Sequence, residues 1–198
     1  IINIEKRSSF KSINQRDIFD VEYWSLEQAK INKSKKILSG NVVLVTGGTG
    51  TLGYAISKKF MDNGAEVIIL DIDSKKIDRE VSKGIFDAHV CDVSSRKDFS
   101  KVLSKICCKY GGIDILISNA GSAHESPIAE VNDDDLQNSF KTNFFSHQIV
   151  ASEVVKIMKL QNIGGCLLFN ISKQSVNPGK NFGSYGTPKA ALLALCKQ

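Results

Sequence analysis

The chain has 198 residues, 26 Lys plus Arg against 21 Asp plus Glu, a formal net charge of +5 and 42% hydrophobic residues. These values exclude a disordered tail, a collagen-like rod and a disulfide-dense miniprotein, and no apolar run is long enough to span a bilayer. The positive excess is diffuse. Its densest cluster, Lys30, Lys33, Lys35 and Lys36, reads as a solvated helix end or linker rather than a nucleic-acid contact, because no aromatic or Arg-rich pattern accompanies it. Five cysteines (Cys91, Cys107, Cys108, Cys166, Cys196) form neither a C-x-x-C pair nor a metal-ligand spacing, so they are expected as buried free thiols in a reducing compartment, with no metal. No secretory or transit signal is visible, and the cytoplasm is the expected location. Residue 1 is Ile, which suggests a chain cut from something longer.

Residues 1–39 contain no Gly or Pro before position 40 and carry one aromatic cluster around Trp24. They read as an N-terminal extension or interdomain linker, with a helix following a Ser25 cap over Ser25–Lys30 and Trp24 docking on a neighbouring surface. From residue 40 onward strands and helices alternate. Val42–Val45, Val67–Leu70, Ala88–Cys91, Ile115–Ile117 and Cys166–Phe169 are short apolar runs of the kind buried on both faces of a parallel sheet. Between them, Leu52, Ala55, Ile56 and Phe60, then Phe99, Val102, Leu103 and Ile106, keep a helical period. Asn132 is placed to cap an acidic helix start at Asp133–Asp135, and Phe144 to Met158 marks a long helix with a wide apolar face. The fold class is α/β: a Rossmann-type, doubly wound parallel sheet in three αβα layers.

The first strand runs into Thr46-Gly47-Gly48-Thr49-Gly50-Thr51-Leu52-Gly53 and then a helix. Glycines permit the tight turn and let backbone N–H groups approach a pyrophosphate at the positive helix end. Gly47, Thr49, Gly50, Thr51, Leu52 and Gly53 are therefore candidate cofactor contacts. Asp71, 24 residues after Gly47 at the end of the second strand, can accept hydrogen bonds from an adenosine ribose and repel a 2′-phosphate. This favours NAD; an NADP site would use a basic residue nearby, and Lys75 and Lys76 fall in the following helix start.

Tyr185 and Lys189 are spaced i, i+4 and share a helix face. A phenol is a poor base at neutral pH, but a nearby ammonium and a cationic nicotinamide favour the phenolate. Ser172, 13 residues upstream of Tyr185, can hold a substrate oxygen beside it. His89 reads as a packed core residue in its strand and His147 as a structural hydrogen-bonder. His124 is either a substrate contact or a loop histidine.

Together the glycine motif, Asp71, Asp92-Val93, Asn119-Ala120-Gly121, Asn143, Ser172, Tyr185 and Lys189 resemble the short-chain dehydrogenase/reductase family over about residues 41–198. The resemblance implies that Asp92 and Val93 serve the adenine end. It assigns Asn119, Ala120 and Gly121 to the central strand beside the cofactor, and Lys189 to the nicotinamide ribose. It also implies that Asn143 completes a catalytic tetrad with Ser172, Tyr185 and Lys189. Asn143–Gln148, Gly164–Gln174 and Val176–Gly179 further resemble the dehydrogenase half of bifunctional rhamnulose-1-phosphate aldolase/alcohol dehydrogenases, as does Phe19–Lys30 their interdomain segment.

That branch implies lactaldehyde as substrate and an aldolase domain fused upstream. Lys173 stands where the family commonly has a second serine; Ser172 is preferred to Ser175 because its spacing to Tyr185 matches the family. A sugar-alcohol or sugar-phosphate (sorbitol-6-phosphate type) dehydrogenase is the alternative substrate class, and a non-catalytic dinucleotide-binding regulator is the alternative function. The family also implies a homo-oligomer, dimer or tetramer, built through residues 140–160 and 184–197. Family domains continue for roughly another 50 residues, so the chain reads as truncated after the catalytic helix, with weak or no turnover expected of this segment alone.

Overall fold

Apolar runs flanked by amphipathic helices bury both faces of a strand, and a computed structural model, which describes residues 36–198, arranges them accordingly. Strands β1 (Val42–Thr46), β2 (Glu66–Asp71), β3 (Asp87–Val90), β4 (Ile115–Ser118) and β5 (Cys166–Phe169) form one sheet in the order β3-β2-β1-β4-β5, every pair parallel. The helices are α1 (Thr51–Asp62), α2 (Ser74–Lys83), α3 (Arg96–Tyr110), α4 (Asp133–Phe140), α5 (Ser146–Gln161) and α6 (Gly183–Leu195). A π-helical segment, Lys141–Phe145, joins α4 to α5, and a 3₁₀ turn, Lys173–Ser175, follows β5. This is a Rossmann-like, three-layer fold. The helix expected at Ser25–Lys30 and the docked Trp24 lie outside the described residues.

Side-chain alternation along the strands divides the core in two. Val43, Val45, Val67 and Ile69 face α1 and α2, where Tyr54, Ile56, Phe60 and Ile77 pack on them. Leu44, Ile68, Leu70 and Leu116 face the other layer, with Phe99, Leu103 and Ile106 of α3 and Val150, Val154 and Met158 of α5. Leu38, in the turn before β1, packs on the first cluster, so the domain already includes this turn. Helix ends follow local chemistry. Asp73, Ser95 and Asn132 each accept a backbone N–H at a helix start, and Gly84, Gly111 and Asn162 close helices in the left-handed conformation.

Two expectations need correction. The cysteines are free, but only Cys91 is buried; Cys108, Cys166 and Cys196 are exposed and Cys107 is half-buried. Cys166 lies on the edge strand β5, where Leu168, two residues on and on the same face, is also exposed. His89 is likewise no core residue. It sits on the opposite edge, half-buried, with Nε2 3.1 Å from Asp87, whose carboxylate also takes Lys109 Nζ and Tyr110 Oη at 2.9 Å each.

Phe99 has no exposed surface and lies at the centre of the α3 side. Phe99→Ala is expected to cost about 3–5 kcal/mol, against under ~0.5 kcal/mol for Val176→Ala on the surface. Paired urea-unfolding curves measure both.

Candidate active site

The strand order reverses between β1 and β4, so the loops leaving their carboxyl ends diverge and open a crevice. A cleft of about 670 Å³ lies there. Its lining joins the glycine loop, Asp71, Asp92-Val93, Asn119-Ala120-Gly121 and Asn170, with Ile72 and Leu52 as apolar surfaces.

Every glycine-loop residue expected to touch a cofactor is at or beside this cleft. Gly47 has φ +64°, and a Cβ on it would stand 2.9 Å from the Ala120 Cα; a Cβ on Gly53 would overlap the Gly47 carbonyl. Helix α1 therefore starts hard against the end of β4. Its N-cap, Gly50, brings no side-chain cap, and the first turn holds no acidic residue, so its leading N–H groups face the cleft without a side-chain partner. Thr49 donates to Asp71 Oδ2 through both its hydroxyl (2.6 Å) and its N–H (3.2 Å), while Asp71 Oδ1 accepts from the Asp73 N–H at 3.2 Å. Asp92 Oδ1 is held by the Ser94 N–H (2.9 Å) and hydroxyl (2.6 Å). Both carboxylates are thus oriented before any ligand arrives.

Asn119 brackets three strand ends. Its Nδ2 donates to the carbonyls of Thr46 (3.0 Å) and Gly47 (3.2 Å), and its Oδ1 accepts from Asn170 Nδ2 at 3.0 Å. The Thr46 hydroxyl in turn accepts from the N–H groups of Asn119 (2.9 Å) and Ala120 (3.1 Å).

At the far side of Asn170 stand the residues expected to carry chemistry. Lys189, on α6, is only 2% exposed. Its Nζ lies 6.0 Å from the Tyr185 ring centroid and donates to the Asn170 carbonyl at 3.0 Å and to His147 Nε2 at 3.3 Å. Burial pushes the Lys189 ammonium down to about 8. His147 is 1% exposed, and burial, then the Lys189 charge, pushes it down to about 3. Its Nδ1 meets Ser118 Oγ at 2.7 Å. The histidine thus has the structural hydrogen bond expected of it, and its other nitrogen faces the lysine.

Ser172 caps the 3₁₀ turn, its Oγ accepting from the Gln174 N–H at 3.2 Å with its own O–H still available. Ser175 Oγ instead donates to the Ser172 carbonyl at 2.7 Å, which commits that hydroxyl to the backbone. Asn143 is fully buried in the π segment; its Oδ1 accepts from the Ser122 N–H (3.1 Å) and its Nδ2 donates to the Ser122 carbonyl (2.8 Å) and to Ser139 Oγ (3.2 Å). The long helix expected from Phe144 onward is therefore interrupted at its start, in the way π turns often mark functional positions. His124 is exposed in the loop after β4, its carbonyl accepting from Ser184 Oγ at 3.3 Å.

Asn170, Ser118 and Ser139 were not picked out in the sequence. Pro188 offered one usable signal: inside α6 it has no N–H for the Ser184 carbonyl, and that carbonyl is taken by Ser139 Oγ at 2.8 Å. Among the described residues no group of three His, Cys, Asp or Glu side chains could hold a metal ion, and no helix is long and apolar enough to cross a membrane.

Comparison with known proteins agrees with this geometry. A family model described as short chain dehydrogenase matches residues 41–198, and one described as aldolase class II, second domain, matches residues 1–31. The uncharacterized oxidoreductase YuxG of Bacillus subtilis (strain 168) is 35% identical over 95% of this chain and 29% of its own length. Chloroplastic chlorophyll(ide) b reductase NOL of Arabidopsis thaliana is 33% identical over 78% of this chain and 47% of its own. The chain thus spans less than half of either relative. The crystal structure of NAD+-bound xylitol dehydrogenase superposes with a TM-score of 0.75 at 28% identity, covering 81% of this chain and 64% of that one.

The His147 shift has a consequence for stability. A histidine depressed from 6.5 to about 3 stays neutral in the fold while the unfolded chain takes up a proton, so its contribution is present above pH 6.5 and is lost as pH falls toward 3. Unfolding free energy should drop by roughly 1.4 kcal/mol per pH unit from this group between about pH 6 and 4. His147→Gln should flatten that window, as read by urea unfolding at stepped pH.

Proposed function

The chain belongs to the short-chain dehydrogenase/reductase family, and we propose that it transfers hydride between NAD and a small alcohol or aldehyde of the lactaldehyde kind. The observation that carries this reading is the Tyr185–Lys189 pair on α6, its ammonium buried and anchored to Asn170, which itself lines the cleft at the strand reversal.

The residues present fit a dinucleotide. The uncapped α1 N-terminus, which Gly47 and Gly53 let pack close against the end of β4, suits a pyrophosphate. Asp71 suits the adenosine ribose, and Asp92 and Val93 the adenine end. Gly121 leaves room beside Asn143 and Lys189, where a Cβ would stand 2.9 Å from Asn143 Oδ1. A bound nicotinamide supplies the hydride acceptor for alcohol oxidation. Tyr185 takes the alcohol proton as general base. Lys189 favours the phenolate by its charge, Ser172 holds the substrate oxygen through its free O–H, and Asn143 keeps the loop at Ser122 and the π segment in place for proton relay. An aldehyde would be oxidised as its hydrate.

Three further readings belong to the same proposal. NAD is preferred to NADP because Asp71 repels a 2′-phosphate. The match of residues 1–31 to an aldolase domain supports a bifunctional protein in which lactaldehyde from the aldolase step is the dehydrogenase substrate. Free, partly exposed cysteines suit a reducing cytoplasm, and the outer faces of α5 and α6 would serve homo-oligomer contacts. The likeness to xylitol dehydrogenase favours one alternative, a sugar alcohol or its phosphate as substrate.

Tyr185→Phe in the full-length protein should lower turnover by about 10³-fold while NAD affinity, read by fluorescence titration, changes less than about threefold. Retained turnover would sink the assignment of the base. Asp71→Ser should shift the NAD-to-NADP preference in kcat/KM by about tenfold or more toward NADP. Lactaldehyde, polyols and polyol phosphates assayed side by side for NAD reduction distinguish the two substrate classes.

A further inference from the structure

We propose that His147 is a positioning residue for Lys189: its neutral imidazole is the acceptor that holds the ammonium in place beside Tyr185, and Ser118 locks the tautomer that makes this possible. The inference rests on the Tyr185–Lys189 reading given above.

An ammonium has three donors and no acceptor. Inside the protein it finds the Asn170 carbonyl on one side and His147 Nε2 on the other, leaving one hydrogen for a ligand. Because Nζ can only donate, Nε2 must carry the lone pair and Nδ1 the proton. Ser118 Oγ, 1% exposed and 2.7 Å from Nδ1, then accepts that proton's hydrogen bond, and the Ala120 carbonyl borders the same ring. The imidazole is further confined by Phe169, with ring centroids 6.4 Å apart.

The choice of a neutral acceptor has an electrostatic consequence. A carboxylate in this position would neutralise the lysine's field where Tyr185 needs it, whereas an imidazole fixes the ammonium and leaves its charge intact. Lys189 forms no ion pair with a described carboxylate. The titratable groups facing it are His147 from α5, Tyr185 on its own helix and Cys196 just past that helix; Asn170, just after β5, presents its carbonyl. The π segment immediately before His147 gives Asn143 to Ser122 and Ser139 while turning the next residues toward β4.

The test compares His147→Leu and His147→Gln with the wild-type full-length protein. Proton–nitrogen correlation spectra of ¹⁵N-histidine-labelled protein should give His147 a protonated Nδ1 and a bare Nε2 at pH 7, unchanged down to pH 5. Lysine ¹³Cε titration should put the Lys189 midpoint lower by about one pH unit in His147→Leu, because the charged form loses an acceptor. The alkaline limb of kcat against pH, where Lys189 loses its charge, should move down with it, and His147→Gln, which keeps an acceptor, should restore both to within about 0.3 unit of wild type. A folded His147→Leu variant with an unmoved Lys189 midpoint, or an Nε2-protonated tautomer in the wild type, would overturn the proposal. Should His147→Leu fail to fold, the wild-type tautomer and the Gln variant decide. Tyr185→Phe separates the two readings: a dead Tyr185→Phe with unmoved His147 variants removes only the role of His147. An active Tyr185→Phe with a lowered Lys189 midpoint leaves the positioning intact and removes the catalytic reading.

Discussion

A lysine ammonium with 2% exposure is the constraint around which this half of the molecule is arranged. Taking a charge out of water costs several kcal/mol unless hydrogen-bond acceptors replace the lost hydration. Here the acceptors come from two different elements, the carbonyl after β5 and the imidazole of α5, so the lysine cannot be satisfied until both have docked. Each acceptor then needs its own support. Asn170 is tied to Asn119, and His147 to Ser118. Four buried or half-buried polar side chains, at the ends of β4 and β5 and on α5, therefore follow from one charge on α6.

The same economy of partners links the strand ends to the helices. Thr46, Asn119 and Asn170 form a continuous bracket across β1, β4 and β5, closing backbone groups that a diverging crevice would otherwise leave open. On the other flank, Pro188 frees the Ser184 carbonyl, Ser139 donates to it, and the Ser139 oxygen accepts from Asn143. A helix defect in α6 and a π turn before α5 are thus two ends of one hydrogen-bond chain. Replacing the proline would supply a second, backbone donor to the Ser184 carbonyl, whose two lone pairs Ser139 would then share.

Much of the fold was legible because its signals are local. Runs such as Val42–Val45 and Val67–Leu70 need only their own composition to read as buried parallel strands, and Asn132 announces its helix by side-chain chemistry alone. The glycine loop was legible for the same reason: its conformation is written in the residues that form it. What stayed hidden depends on partners far along the chain. Ser118 and His147 are 29 residues apart, and no periodicity marks their meeting. The buried thiols and the packed His89 were expected from average behaviour; His89 and Cys166 depart from it on the edge strands β3 and β5, while Cys107, Cys108 and Cys196 lie on or just past helices.

The carboxylate at the end of β2 shows how far local geometry narrows recognition. A carboxylate offers about four acceptor positions. In Asp71, Oδ2 takes two donors from Thr49 and Oδ1 takes one from Asp73, so a single acceptor position is left, on Oδ1. Were Asp71 only a turn residue, nothing would require its orientation to be fixed by the glycine loop as well. Held from both sides, it can receive one hydroxyl without reorganising, and any second hydroxyl must displace Thr49. The proposed preference for a free ribose therefore has two components: repulsion between Asp71 and a phosphate, and a fixed acceptor that a ribose hydroxyl can use and a 2′-phosphate, lacking a proton to donate, cannot.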